Sequence, residues 1–133
     1  MKNIKNTLSN LNEFCSPRVL SEVNNHYVKI ARVKGKLPMH KHKSDELFII
    51  YKGEMTIEVE GELFDLTEGD IFLVEKGKLH RPIATNECQC ILVEQKDLLH
   101  TGDEQFDITK SIESFSLANT KEARKLCSTR SFW

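Results

Sequence analysis

The sequence predicts an all-β fold, a small sandwich or barrel, and two observations carry that expectation. Between about residues 26 and 95 the apolar residues come in short runs, and Gly, Asp, Asn or Pro breaks them about every eight to ten positions. In Met55-Thr56-Ile57-Glu58-Val59-Glu60 apolar and polar residues alternate strictly, so one face of an extended segment meets a core and the other meets water. The 133 residues, 39% hydrophobic and 29% charged, are enough for one domain with a core. Nineteen Lys and Arg against 20 Asp and Glu give a net charge of −1, so no summed basic field is available for a polyanion, and a nucleic-acid partner is not expected. No apolar run approaches the roughly 20 residues that cross a bilayer, so no membrane span is expected either.

Taken in order, the elements begin with Met1 to Leu8, which carry charge but lead into no apolar core of a signal peptide; a cytoplasmic protein is expected. Leu8, Leu11, Asn12 and Phe14 predict a short amphipathic helix that stops before Ser16-Pro17, because proline disfavours helix at the residue before it. The predicted strands are His26 to Val33, Glu46 to Tyr51, Met55 to Glu60, Leu63 to Leu66, Ile71 to Val74, Leu79 to Ile83 and Cys88 to Gln95. Glu60-Gly61-Glu62 reads as a tight hairpin in which Gly supplies a positive φ. After Gly102-Asp103 the composition shifts to Ser, Thr and Lys, and Asn119 followed by Glu122 predicts a capped helix near residues 120–127. That tail could pack on the barrel, exchange with a partner, or be loose. The four cysteines, Cys15, Cys88, Cys90 and Cys127, are expected to be reduced, with Cys88 and Cys90 behaving as small buried hydrophobes rather than as a metal pair.

Three of the five histidines stand where strands begin. Side chains alternate along an extended chain, so His40 and His42 point to the same side, and Glu46 at the same parity returns to it. A second turn at Glu75-Lys76-Gly77-Lys78 delivers His80. Three nitrogens and one oxygen suit a divalent transition metal with open positions; Mn, Fe, Co, Ni and Zn all tolerate that set.

These residues resemble the two cupin motifs. The first motif runs Gly, a spacer of about five, His-x-His, three or four residues, Glu, six residues, Gly; here it reads Gly35, four residues, His40-Lys41-His42, three residues, Glu46, six residues, Gly53. The second runs Gly, five residues, Pro-x-Gly, two residues, His, three residues, Asn; here it reads Gly69, five residues, Glu75-Lys76-Gly77, two residues, His80, three residues, Ala84. The shortened spacer, Glu75 for Pro and Ala84 for Asn are departures, and none removes a ligand. The resemblance spans roughly residues 20 to 103 and is to small stand-alone cupins of the mannose-6-phosphate isomerase-like type. It implies a jelly-roll (double-stranded β-helix) barrel over residues 21–103, an N-terminal segment at 1–20 and a C-terminal extension at 104–133. It also implies a metal-dependent enzyme of dioxygenase or isomerase type on a small polar metabolite, or a non-catalytic small-molecule or sugar-binding cupin.

Parity from Glu46 puts Phe48 and Ile50 inside with Met55, Ile57 and Val59, which makes the pocket wall apolar. Two charged residues are catalytic candidates. Arg32, on the parity of Val28 and Ile30, could offer a guanidinium to a carboxylate or phosphate; Glu94, on the parity of Cys90 and Leu92, could act as a general base or support a ligating imidazole. His26 and His100 are expected in surface or loop positions, and Lys34, Lys36, Lys41 and Lys43 at a solvated edge. Leu47, Ile49 and Tyr51 make the strand from Glu46 apolar on its second face as well. That face needs cover from the N-terminal segment, the tail or a second chain, and analogy with cupins favours a homodimer.

Overall fold

The structure, a computed structural model, describes residues 1–96. Among them lie a short helix and seven strands: α1 (Ile4–Ser9), β1 (Arg18–Val23), β2 (His26–Lys36), β3 (Glu46–Lys52), β4 (Met55–Val59), β5 (Glu62–Leu66), β6 (Ile71–Val74) and β7 (His80–Gln95). No described helix is long and apolar enough to cross a membrane. The helix expected near residues 120–127, His100 and Cys127 lie outside the described residues.

Every strand pairing is antiparallel, and β7 is the spine. Its later residues pair with β2 on one side and β3 on the other, while His80 to Ile83 pair with β4. The order β1-β2-β7-β3-β6 thus forms one wall, and β5-β4 folds back from the start of β7 to form the facing one. Between the walls lie Ala31, Val33, Phe48, Ile50, Met55, Ile57, Leu66, Val74, Cys88, Cys90 and Leu92, all buried. The parity assigned to Phe48, Ile50, Met55, Ile57 and Val59 is the one observed. The expected hairpin at Glu60-Gly61 joins β4 to β5 with φ of 50° and 86°, both positive as a type I′ turn requires.

Three elements differ from expectation. Leu79 to Ile83 and Cys88 to Gln95 belong to one strand, because a register shift absorbs the intervening polar residues: Val33 faces Cys88 while Gly35 already faces Ala84. β1 carries no clear alternation because it is an edge strand with little buried surface, Val19 and Val23 both being exposed. The N-terminal helix covers Ile4–Ser9 rather than the stretch around Leu11 to Phe14. The Asn3 side chain caps it by accepting from Asn6 N at 3.0 Å, and the chain leaves the helix at Asn10.

The apolar residues that pointed to that helix still do what their pattern implies. Leu8 and Leu11 bury Ile30, with Ile4, Leu20 and Ile91 packed around them. They cover one end of an apolar outer face built from two cross-strand rows, Ile30-Ile91-Ile49-Ile71 and Val28-Val93-Leu47-Leu73. The far end stays open, with Ile71 64% and Leu73 48% exposed. Cys88 and Cys90 are free and buried as expected. Cys15 is disulfide-bonded, which corrects the expectation of a reduced thiol there.

Gly53 closes β3 at φ +89°, and a Cβ there would stand 2.8 Å from Glu87 O and 3.2 Å from Cys88 Cα, both backbone atoms. Gly69, at φ +90°, faces open space. Gly69→Ala should therefore cost only the backbone strain, about 1 kcal/mol, and Gly53→Ala about 2–4 kcal/mol. Urea denaturation of both variants checks this; equal losses would show that the close approach of β7 does not constrain the position.

Candidate metal centre

The site is assembled where two loops meet at the mouth of the barrel. His40 N donates to His80 O at 2.9 Å and His80 N returns a bond to His40 O at 2.8 Å, an isolated antiparallel bridge. Gly77 N donates to His42 O at 2.8 Å, and Lys76 N donates to Asp45 Oδ1 at 2.8 Å. The loop before β3 and the loop before β7 are thereby stitched together by main-chain bonds. Glu46 opens β3 and His80 opens β7, so both side chains leave the ends of paired strands and turn inward.

The three imidazoles converge. Ring centroids lie 4.5 Å apart for His40 and His80, 4.9 Å for His40 and His42, and 5.5 Å for His42 and His80. One nitrogen from each ring falls within 4.8 Å of the other two, a grouping that could hold a metal ion. Glu46 reaches the same place: its Oε1 is 3.3 Å from His80 Nε2 and 3.6 Å from His42 Nε2. His40, Glu46 and His80 are buried.

Hydrogen bonding fixes which nitrogen faces the site. His40 Nδ1 lies 2.9 Å from Pro38 O and His80 Nδ1 2.8 Å from Lys78 O. A carbonyl oxygen only accepts, so each Nδ1 carries a proton, and in the neutral ring Nε2 keeps its lone pair for the cluster. His80 Nε2 stands 3.3 Å from Glu46 Oε1, where a shared proton or a cation can serve both atoms. His40 Nε2 and Glu46 Oε2 are buried with no hydrogen-bond partner. Backbone carbonyls that hold ligating rings by the other nitrogen are the usual support of a metal site, and the donor set fits a transition ion.

Electrostatics agree. Burial, helped by the neighbouring His42 and His80, pushes the His40 pKa down to about 4, so this ring is neutral at pH 7 and its lone pair is available. Burial works against the Glu46 carboxylate, yet contact with His80 and the field of His42, His80 and His40 outweigh it and hold the group below the usual carboxylate range.

The structure separates the two catalytic candidates. Arg32 is not at the cluster, which corrects the expectation that it faces a ligand. It lies on the outer side of β2, bidentate to Glu87 at 2.8 and 2.9 Å, donating to Leu11 O at 2.6 Å and stacked 4.5 Å from the Phe14 ring centroid. Glu94 is beside the cluster, directly opposite Glu46 in the β3–β7 register, and its carboxylate is paired with Lys29 Nζ at 3.0 Å. Sequence reasoning missed Lys29. The inner face of β2 is Lys29, Ala31 and Val33, but Val28 and Ile30 are the more apolar pair because α1 and the outer face bury them. Lys34, Lys36, Lys41, Lys43 and His26 are exposed, as expected.

With this geometry in place, comparison with known proteins is direct. The Cupin_2 (cupin domain) family matches residues 27–94, about half of the chain. The chain belongs to the cupin family. A cupin-2 domain containing protein from Shewanella frigidimarina NCIMB 400 superposes with a TM-score of 0.69 at 31% identity, covering 71% of this cupin and 94% of that one. Protein NMB1881 from Neisseria meningitidis gives 0.67 at 25% identity, covering 72% and 99%. The uncharacterized protein YdbB of Bacillus subtilis (strain 168) is 37% identical over 86 residues, 61% of this chain and 76% of its own. Hydroquinone 1,2-dioxygenase PnpCD, solved with Cd2+ and 4-hydroxybenzonitrile, shares the fold with a TM-score of 0.63 at 18% identity, covering 73% of each chain.

The His40 environment sets a pH dependence of stability. Its folded pKa of about 4 lies below the unfolded value of 6.5, so between those pH values the unfolded chain binds a proton that the folded one does not. The contribution is complete above pH 6.5 and is lost as pH falls toward 4; the Glu46 contribution, also from a depressed pKa, is lost only below 4.5. Metal-free protein should lose about 2–3 kcal/mol between pH 7 and 4.5 in urea melts, and His40→Gln should flatten that slope. A wild-type slope in His40→Gln would contradict the assignment.

Proposed function

We propose that this cupin binds a divalent transition metal, Mn, Fe, Co, Ni or Zn, through His40, His42, Glu46 and His80, and that it is a metal-dependent enzyme of dioxygenase or isomerase type acting on a small polar metabolite. The observation that carries the reading is a pair of buried atoms at the convergence of the three rings, His40 Nε2 and Glu46 Oε2, that lack hydrogen-bond partners. Leaving such atoms buried and unsatisfied costs about 1–3 kcal/mol each, a cost that a bound cation removes. A divalent ion in this site would polarise a carbonyl or enediol, or lower the pKa of a bound water. Pro38 O and Lys78 O orient the rings, the Glu46 carboxylate supplies the anionic contact, and Phe48, Ile57 and Leu92 keep the floor of the barrel dry. The chain's likeness to a dioxygenase fold is compatible with this chemistry. The apolar wall, with few acids or bases beyond the cluster, favours the second reading, a cupin that binds a small molecule or sugar without turnover.

We further propose that a second copy of the chain covers the open end of the outer apolar face. The rows at Leu47, Ile49, Ile71 and Leu73 carry no charge and so can meet their own copy without like-charge repulsion.

Metal analysis of the purified protein should find close to one transition ion per chain, with affinity falling about 10–100-fold in His80→Ala. Less than about 0.2 ion per chain, unchanged by His80→Ala, would remove the four-ligand proposal. O2 uptake and product formation across 2-oxo acids, β-diketones, catechols and sugar phosphates separate the two readings: binding without turnover supports the second. Light scattering should give a dimer mass that Ile71→Glu with Leu73→Glu reduces to the monomer; a monomeric wild type would overturn the second-copy assignment.

A further inference from the structure

Beside the histidine cluster the inner wall, among the described residues, carries a charged pair, Lys29 with Glu94. Lys29 lies on the same face of β2 as the core residues Ala31 and Val33, and Glu94 on the same face of β7 as Cys90 and Leu92. Their side chains are 21% and 13% exposed, and Lys29 Nζ stands 3.0 Å from Glu94 Oε1. The register places Glu94 directly opposite Glu46 on one side and Tyr27 on the other, so its Cα is about 5 Å from that of Glu46. β2 begins at His26 and β7 ends at Gln95, which puts the pair at the rim of the barrel, level with the cluster.

Lys29 Nζ also lies 5.5 Å from the Tyr27 ring centroid, but the ion pair itself is a weak source of stability. Two ions taken largely out of water recover in mutual attraction no more than the desolvation they cost, and an apolar pair of similar size usually serves a fold as well or better. Leu92, the cross-strand neighbour of Lys29, and Phe48 opposite Leu92 on β3 would extend naturally into such a pair. The ion pairs that do hold the fold together lie on the outside, Arg32 with Glu87 and Arg81 with Glu58.

Charge balance indicates what an ammonium here would receive. Three neutral imidazoles, the Glu46 carboxylate and a divalent ion sum to +1, and the Lys29–Glu94 pair adds nothing. A single negative charge on the ligand neutralises the site, which a low-dielectric interior favours. We infer that the site takes a small chelating monocarboxylate, a 2-oxo or 2-hydroxy acid, and that Lys29 is its specificity-determining residue, receiving the carboxylate while Glu94 holds the ammonium against the wall. The inference deepens the metal-binding reading and rests on it. Lys29 forms a charged hydrogen bond to the ligand's anionic group and a neutral isostere forfeits it, a difference of about tenfold in affinity.

The test uses Co(II)-loaded full-length protein, with cobalt stoichiometry measured first and then pyruvate and its neutral analogue pyruvamide titrated against the visible absorption of the bound ion. Wild type should bind pyruvate about tenfold more tightly than pyruvamide. Lys29→Met should abolish that preference while leaving pyruvamide affinity within about twofold, and Glu94→Gln, which frees the ammonium, should keep or tighten pyruvate binding. The double variant Lys29→Met with Glu94→Leu guards against misfolding: it should melt no lower than wild type and still lose the preference. Cobalt below about 0.2 per chain in wild type would overturn the metal reading and this inference together. Cobalt near one per chain, with the pyruvate preference unchanged in Lys29→Met and in the double variant, would overturn this inference alone.

Discussion

The reciprocal bond pair between His40 and His80, 2.9 and 2.8 Å, is the constraint on which the rest depends. The two residues are 40 positions apart: His40 lies in the loop after β2, and His80 opens β7 just beyond the last contacts of β2 with that strand, Lys36 opposite Ile83 and Leu37 N donating to Pro82 O at 3.1 Å. Once their main chains pair, His40 sits beside the first residue of β7, His42 O is held by Gly77 N, and Asp45 is tied to Lys76 just before Glu46 enters β3. Main-chain bonds therefore set the spacing of the candidate ligands, and the imidazoles inherit it. Side chains alone would give looser placement, because each carries its own rotamer freedom.

The same bridge explains how the walls close. β7 runs sixteen residues and exchanges one partner along its length, β4 from His80 to Ile83 and β3 from Gln89 onward, while β2 pairs with it from Ile83 to Gln95 across the bulge. The bulge opposite Val33 and Gly35 lets one strand serve both walls, since a regular ladder would carry it straight past one of them. Gly53 belongs to this arrangement too. β7 approaches it so closely at Glu87 and Cys88 that no Cβ fits, and this fixes the end of β3 against the spine.

Much of this was legible in the sequence, and the misses have physical causes. Alternation revealed β4 and the inward set of β3 because each has one buried face and a sharp turn after it. It failed on β1, an exposed edge with no buried face to impose a period, and on β7, where Thr85 and Asn86 mimic a turn inside a bulge. The histidines and Glu46 were legible as a group because their offsets are fixed by the local extended chain. Arg32 and Lys29 exchanged roles for a single reason: β2 is buried on both sides, so hydrophobicity could not tell the face under α1 from the face lining the barrel. Only the Lys29–Glu94 contact and the pairing of Ala31 with Cys90 decide it.

The way the chain treats its polar groups separates scaffold from site. On the outer surfaces Arg32 is matched by both oxygens of Glu87 and by Leu11 O, Arg81 by Glu58, and Thr56 by Asp65. Each of these donors has an acceptor waiting, as stable folds require. At the barrel mouth the order is reversed: the Nδ1 atoms of His40 and His80 are spent on backbone carbonyls, and His40 Nε2 and Glu46 Oε2 are buried without a partner. Among the described residues, buried lone pairs left without a partner at one place are what the proposed cation would satisfy. The Lys29–Glu94 pair beside it extends the logic from the ion to what the ion would hold, since it brings to the rim the one inward ammonium that the strand pattern of β2 would otherwise have filled with a hydrocarbon.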